Sequence, residues 1–239
     1  MTASFRKKKR SLNSILREGA LMRKFSACRI DDILDYDWSA INYNRSSIVN
    51  LLIAACRGED YLEIGCASNL LFDTVAAKRK VGVDPAQGGT LRLTSDAFFA
   101  QNRETFDVIF IDGLHVYDQV RRDVVNALAT VRKGGWVALH DMLPRDWIEE
   151  HVPQISTSRW TGDGWKVAFE LMASPDVDFR LVAIDHGVGV LRVLADNPRL
   201  ADLEEELTPL RFRYLHENFA RLPVVDWEGA REWIESCRA

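Results

Sequence analysis

The chain has 239 residues, 31 Lys and Arg against 35 Asp and Glu, a formal net charge of −4 and 47% hydrophobic residues. That composition is of an ordinary folded globule long enough for one large α/β domain, and its acidic balance argues against a general affinity for nucleic acid. No apolar run reaches membrane-spanning length, no signal-peptide core is visible, and the four cysteines (Cys28, Cys56, Cys66, Cys237) lack metal-site spacing; reduced thiols, a cytoplasmic location and no membrane partner are expected.

In chain order, the basic run Arg6-Lys7-Lys8-Lys9-Arg10 reads as a solvated tail, with contact to phosphate or an acidic membrane surface as the alternative. Residues 11–25 place Leu12, Ile15, Leu16, Leu21 and Met22 at helical spacing, and residues 46–56 read as a second apolar helix capped by Ser46-Ser47. Residues 1–57 are therefore expected to form a helical extension, a lid or a subunit contact, and a homodimer is the expected assembly. Residues 61–84 then read as a strand ending at Gly65, a small-residue turn, a helix and a second strand ending in Asp84. Such a unit suits a nucleoside: the backbone of the turn approaches the ligand and the acid accepts from the ribose hydroxyls.

Apolar runs at 61–64, 80–83, 106–111 and 136–139 have strand length, with helical stretches between most of them, such as 117–131, which Gly134-Gly135 is expected to close. This alternation predicts a doubly wound, mostly parallel sheet with its ligands at the carboxyl ends of the strands. Residues 179–185 and 188–193 are two strands joined by His186-Gly187, a connection too short for a parallel crossover, so the sheet should end in an antiparallel hairpin. Residues 199–239 read as a C-terminal helical extension, with helices around 207–222 and 227–237, leaving 58–198 as the central ligand-binding domain.

The order Glu63-x-Gly65, Asp84, Phe106 to Gly113 and Gly134-Gly135 resembles a class I S-adenosylmethionine-dependent methyltransferase. More narrowly, Ile111-Asp112-Gly113-x-His115-x-Tyr117 with His140-Asp141 resembles the small-molecule O-methyltransferases of family 24, relatives of macrolide-sugar O-methyltransferases. The resemblance spans about residues 60–193 and implies the seven-stranded α/β sheet of that class. It also implies cofactor binding by Glu63, Gly65, Cys66 and Ala67 at the methionine end, Asp84 at the ribose, Ser95 and Asp96 by the adenine, and Asp112. Asn69 stands where a further glycine is usual, and Asn tolerates the left-handed turn such a position needs.

Asp112 and Asp141 follow neighbouring strands, so their carboxylates should meet at the ligand edge, where like charges repel unless a cation or a proton intervenes. Mg²⁺ or another divalent metal held by Asp112, Asp141 and His140 would satisfy them. Imidazole suits transition metals better than Mg²⁺, so at this point a Mn²⁺- or Fe²⁺-like ion, a site without His140 and no metal at all remain open. His115 is expected to take the proton of the acceptor hydroxyl as its oxygen attacks the sulfonium methyl, with His140 and Asp141 as the other catalytic candidates. Trp160 to Lys166 either covers the acceptor pocket or starts a helix, with Asp163 capping and Trp165 in the core; His151, His186 and His216 read as structural. The expected function is methyl transfer from S-adenosylmethionine to a hydroxyl of a small molecule or glycan, metal-assisted or not. The alternatives are a metal-independent enzyme using a histidine base and a non-catalytic cofactor-binding protein.

Overall fold

A computed structural model describes residues 11–238; the basic run 6–10 lies outside the described residues. In chain order the elements are α1 (Leu12–Lys24), α2 (Arg45–Cys56), β1 (Asp60–Ile64), β2 (Arg79–Val83), α3 (Ser95–Gln101), β3 (Phe106–Ile111), α4 (Tyr117–Leu128) and β4 (Val131–Leu139). There follow α5 (Trp147–Glu150), α6 (Val167–Met172), β5 (Val177–Val182), β6 (Val188–Val193), α7 (Glu204–Leu207), α8 (Phe212–Asn218), β7 (Val224–Val225) and α9 (Trp227–Ser236). Among the described residues no helix is long and apolar enough to cross a membrane.

The strands form one seven-stranded sheet in the order β2-β1-β3-β4-β6-β5-β7. β2, β1, β3 and β4 run parallel, and β6 pairs antiparallel with both β4 and β5, which is the expected α/β sheet with its hairpin. Alternate residues of each strand enter opposite cores. Leu62, Ile109 and Val137 pack under α4 and α6, whereas Tyr61, Val108, Phe110 and Trp136 pack under α2 and α9.

Five expectations need correction. No helix follows Gly65: Phe72–Thr74 makes a single 3₁₀ turn. The face that helix would cover is taken by α2, whose Ile48, Val49 and Leu52 are fully buried in the same core as Tyr61, Leu71, Phe72 and Val75. Each such side chain contributes about 1.5–3 kcal/mol of burial, so the lead-in helix is a structural layer of the sheet. The cap of α2 is Asn44, with Ser47 completing a capping box, so the expected Ser46-Ser47 caps lie one step inside the helix.

Gly134-Gly135 does not close α4, which ends at Leu128; the pair lies inside β4, where the register against β3 shifts between Phe106 and Val108. The helix expected around 207–222 is divided into α7, α8 and a 3₁₀ turn at Phe219–Arg221, and the chain then adds β7 beside β5. That edge strand supplies the seventh member of the sheet from a segment that reads as helical. β5 stops at Val182, earlier than the expected 185, because Ile184 N–H turns back to the Val182 carbonyl at 2.9 Å and Asp185 and His186 take positive φ.

Candidate active site

The carboxyl ends of β1, β3 and β4 open on one cavity of about 780 Å³. Gly65 ends β1 at φ 86°, and a Cβ there would sit on the Asp112 carbonyl, so only glycine lets the first loop close against the tip of β3. Asp112 N–H donates to the Ile64 carbonyl at 2.8 Å and His140 N–H to the Ile111 carbonyl at 3.0 Å, extending the sheet register to the tips. Asp112 and Asp141 thus meet as the sequence predicts. Ala67, Asn69, His115, Asp141, Asp185 and His186 all hold positive φ, a concentration of strained backbone around this one opening.

The three catalytic candidates and Asp112 come together with two residues that sequence reasoning missed. His115 Nδ1 lies 3.4 Å from Asp141 Oδ2 and its Nε2 3.7 Å from Asp112 Oδ1. The almost wholly buried His140 turns Nδ1 toward Asp112 Oδ1 at 3.2 Å and Asp141 Oδ1 at 3.3 Å. Arg45, the first residue of α2, donates from Nη1 to Asp112 Oδ2 at 2.6 Å and from Nε to Asp185 Oδ2 at 2.8 Å, and its Nη1 also lies 3.2 Å from His140 Nδ1. Nothing in the sequence marked Arg45 or Asp185. One opens a helix far upstream and the other sits in the β5–β6 turn.

Three carboxylates are therefore faced by Arg45 and His140. Burial alone would raise the Asp112 carboxyl, but His140, Arg45 and His115 around it hold it well below the usual carboxylate range. Asp185 is lowered in the same way, against its burial, by His140 and Arg45. Burial pulls the His140 imidazole down, and the adjacent Asp112 and Asp141 more than reverse this and hold it protonated. A protonated, buried imidazole is a counter-ion and not a base.

The donor set fits a divalent cation, with one change from expectation. Asp112, His115 and Asp141 each offer one ligand atom, all within 4.8 Å of one another, and all three line the cavity. Two carboxylates and an imidazole, with the remaining positions open to water and substrate oxygens, suit such an ion. His115 is the addition to the expected set; His140, which the sequence reading placed there, turns Nδ1 to within 3.2 and 3.3 Å of the same two carboxylates.

At the end formed by the tips of β1 and β2 the cavity is lined by Gly65, Ala67, Asp84, Ser95, Asp96 and Asp112, six of the residues expected to bind cofactor. Asp84 accepts from Ala86 and Gln87 N–H at 2.8 and 2.9 Å and from Ala67 N–H at 2.9 Å, which ties the tip of β2 to the loop after β1. Its burial would raise the carboxyl, and these backbone donors hold it low. Asn69 takes the left-handed conformation expected of it, φ 63°, and its Oδ1 accepts from Gly89 N–H at 2.6 Å. Gln119 Nε2 joins Ser95, Asp96 and Asp123 at 3.0–3.1 Å. Glu63 and Cys66 are buried and do not line the cavity. Glu63 accepts from Tyr61 Oη at 2.5 Å on the α2 side of the sheet, and burial pushes its carboxyl up to about 7.

The other end of the cavity is polar: Glu149, Gln154, Thr157, Ser158, Arg159 and Trp160 line it. The segment 160–166 divides between its two expected roles. Trp160 meets the His115 ring edge-on at 5.7 Å, while Trp165 is fully buried in the core. Asp163 caps α4, a different helix from the one expected, by accepting from Tyr117 N–H at 2.7 Å. Gly162, at φ 69°, is the second glycine the site requires: a Cβ would collide with the His115 carbonyl. His186, read as structural in the sequence, lines the cavity; His151 packs against Phe25 and donates from Nδ1 to the Pro153 carbonyl at 2.9 Å, away from it.

Residues 70–142 match a family model described as a methyltransferase domain. No curated protein matches the chain. Among solved structures, a Klebsiella pneumoniae protein described as an O-methyltransferase is 14% identical over 77% of this chain and 100% of its own, with a TM-score of 0.47. A Podospora anserina methyltransferase with S-adenosylhomocysteine bound is 14% identical over 82% of this chain and 100% of its own, at 0.45. The MycE methyltransferase of mycinamycin biosynthesis, in complex with Mg, S-adenosylhomocysteine and mycinamycin VI, is 18% identical over 57% of this chain and 45% of its own, at 0.38.

Proposed function

We propose that this chain, whose residues 70–142 match a family model described as a methyltransferase domain, transfers the methyl group of S-adenosylmethionine to a hydroxyl of a small polar molecule. The observation that carries this reading is one cavity shared by a ribose-side acid, Asp84, and the cluster Asp112, His115 and Asp141. Asp84 and the loop after β1 would hold the nucleoside, with Ser95 and Asp96 beside the adenine. The acceptor would enter past Trp160, whose ring offers a flat apolar face among Gln154, Thr157, Ser158 and Arg159.

His115 is the group placed to take the hydroxyl proton. One of its ring nitrogens faces Asp141 and the other Asp112, so a carboxylate that fixes the N–H on one side leaves the opposite nitrogen free to accept. As the proton leaves, the oxygen attacks the methyl carbon and the carbon–sulfur bond breaks, giving the methyl ether and S-adenosylhomocysteine. His140 stays protonated and steadies the two carboxylates. Asp112 and Asp141, with an imidazole beside them, would hold a divalent metal, which when bound would lower the pKa of the acceptor hydroxyl.

A metal-independent reaction is the second reading. It is favoured by Arg45 and His140, which already offset the charge of Asp112, Asp141 and Asp185. The test is release of S-adenosylhomocysteine with a panel of hydroxylated acceptors, in chelator and in added Mg²⁺ or Mn²⁺. Turnover lost in chelator and restored by metal supports the metal-assisted route; turnover indifferent to chelator supports His115 alone. Cofactor bound with no turnover on any hydroxylated acceptor overturns the transfer to oxygen.

A further inference from the structure

Helix α1 has two apolar sides. Its inner side, Leu21, Met22 and Phe25, packs on the main core, and Ser14 Oγ meets Thr157 Oγ1, a cavity-lining residue, at 3.1 Å. Its outer side carries Leu12, Ile15 and Leu16, which are 72%, 50% and 62% exposed. Their i, i+3, i+4 spacing puts them on one contiguous strip. Three large aliphatic side chains held together in water by a helix whose other side is already docked need an occupant.

The charge around this strip selects it. Residues 6–24 contain eight Lys and Arg (Arg6, Lys7, Lys8, Lys9, Arg10, Arg17, Arg23, Lys24) against the single acid Glu18, a net of +7 on a chain whose total is −4. The rest of the chain is therefore strongly acidic, and in the sequence the positive charge is concentrated in and just before the helix that carries the exposed aliphatic strip. A nucleic acid would use the charge and leave the leucines unexplained. A second copy of this chain would use the leucines and bring two positive segments together. An anionic lipid surface uses both, with the aliphatic strip at the headgroup–acyl boundary and the basic residues on the phosphates.

We propose that α1 and the basic run before it form a docking element for anionic membranes. The sequence reading expected no membrane partner and kept contact of the basic run with an acidic membrane surface only as an alternative to a solvated tail. The exposed strip on α1 calls for a surface-bound segment. This inference does not rest on the methyl-transfer reading. Through the Ser14–Thr157 contact it does set the docked helix against the wall of the cavity.

The test is flotation of the full-length chain with vesicles of phosphatidylcholine alone and of phosphatidylcholine with phosphatidylserine. Two variants accompany it: Leu12→Ser/Ile15→Ser/Leu16→Ser, which alters only exposed positions, and Lys7→Ala/Lys8→Ala/Lys9→Ala. Circular dichroism and melting temperature verify that each variant folds. The wild type is expected to float with the anionic vesicles and not with the neutral ones, and to be released by raised salt. Each variant should bind at least about tenfold more weakly. No flotation of the wild type overturns the proposal. So does anionic binding that survives the serine variant, which would make the strip irrelevant. A wild-type oligomer that the serine variant converts to monomer would assign the strip to a second copy, and overturns it as well.

Discussion

Glu63 on β1 and Asp112 at the tip of β3 are buried carboxylic acids on neighbouring strands, and their surroundings drive them in opposite directions. Glu63 has the Tyr61 hydroxyl and the Cys66 thiol as its hydrogen-bond partners, and burial pushes it up to about 7. Asp112 is also penalised by burial, yet His140, Arg45 and His115 hold it ionised. The difference is the countercharge. Where α2 delivers Arg45 to the strand tips the acid becomes part of a charged site, and one strand away, without a cation in contact, it becomes part of the core.

Removing the charge at the tips should have the largest effect. Asp112→Asn and Asp141→Asn are each expected to lower turnover by about 10²–10⁴-fold, read as kcat at saturating cofactor. A loss below about tenfold would place the chemistry elsewhere. Arg45→Met comes next. It leaves Asp112 and Asp185 without their shared cation, and because the guanidinium is about a third exposed the expected cost is about 1–2 kcal/mol in urea unfolding. An unchanged unfolding midpoint would mean that water already screens the pair.

The two acids should also differ in pH dependence. Glu63 has a folded pKa raised above its unfolded value of 4.5, so the native state binds the extra proton, and its contribution is lost as pH rises toward 7. Glu63→Gln removes that loss: between pH 5 and pH 8 its stability relative to wild type should rise by about 1–2 kcal/mol. A constant difference across the range would remove Glu63 from the titrating groups. Asp112, with its pKa depressed, contributes fully above its unfolded value of 3.8 and loses that contribution only as pH falls below it. The smallest effect is expected at Asn69. Asn69→Gly relieves the positive φ but loses the bond to Gly89 N–H, so cofactor affinity should change by less than about threefold.

The parts of the site legible in the sequence are those that lie at strand ends. Asp84, Asp112 and Asp141 each follow an apolar run directly, and parallel pairing brings those ends to one edge whatever the rest of the chain does. Arg45 and Asp185 could not be read that way, because their meeting depends on how α2 and the β5–β6 turn pack. The absent helix after Gly65 has a related cause. Leu70, Leu71, Phe72 and Val75 have helical spacing, but the surface they would cover is filled by α2, and Leu70 is left 79% exposed. The strand Val224–Val225 is too short to show alternation, and its pairing partner β5 creates it. The histidines divided on burial: His115 and His140 both line the cavity, and His115 is the more open of the two while His140 is almost wholly buried.

The central claim is that this cavity binds S-adenosylmethionine, and the most direct measurement is its calorimetric titration into the full-length chain. The account predicts saturable binding with a Kd of about 1–100 μM, weakened at least about tenfold in Asp84→Ala. No heat of binding up to about millimolar cofactor would contradict it, and would leave the Asp112, His115 and Asp141 cluster without the reaction proposed for it.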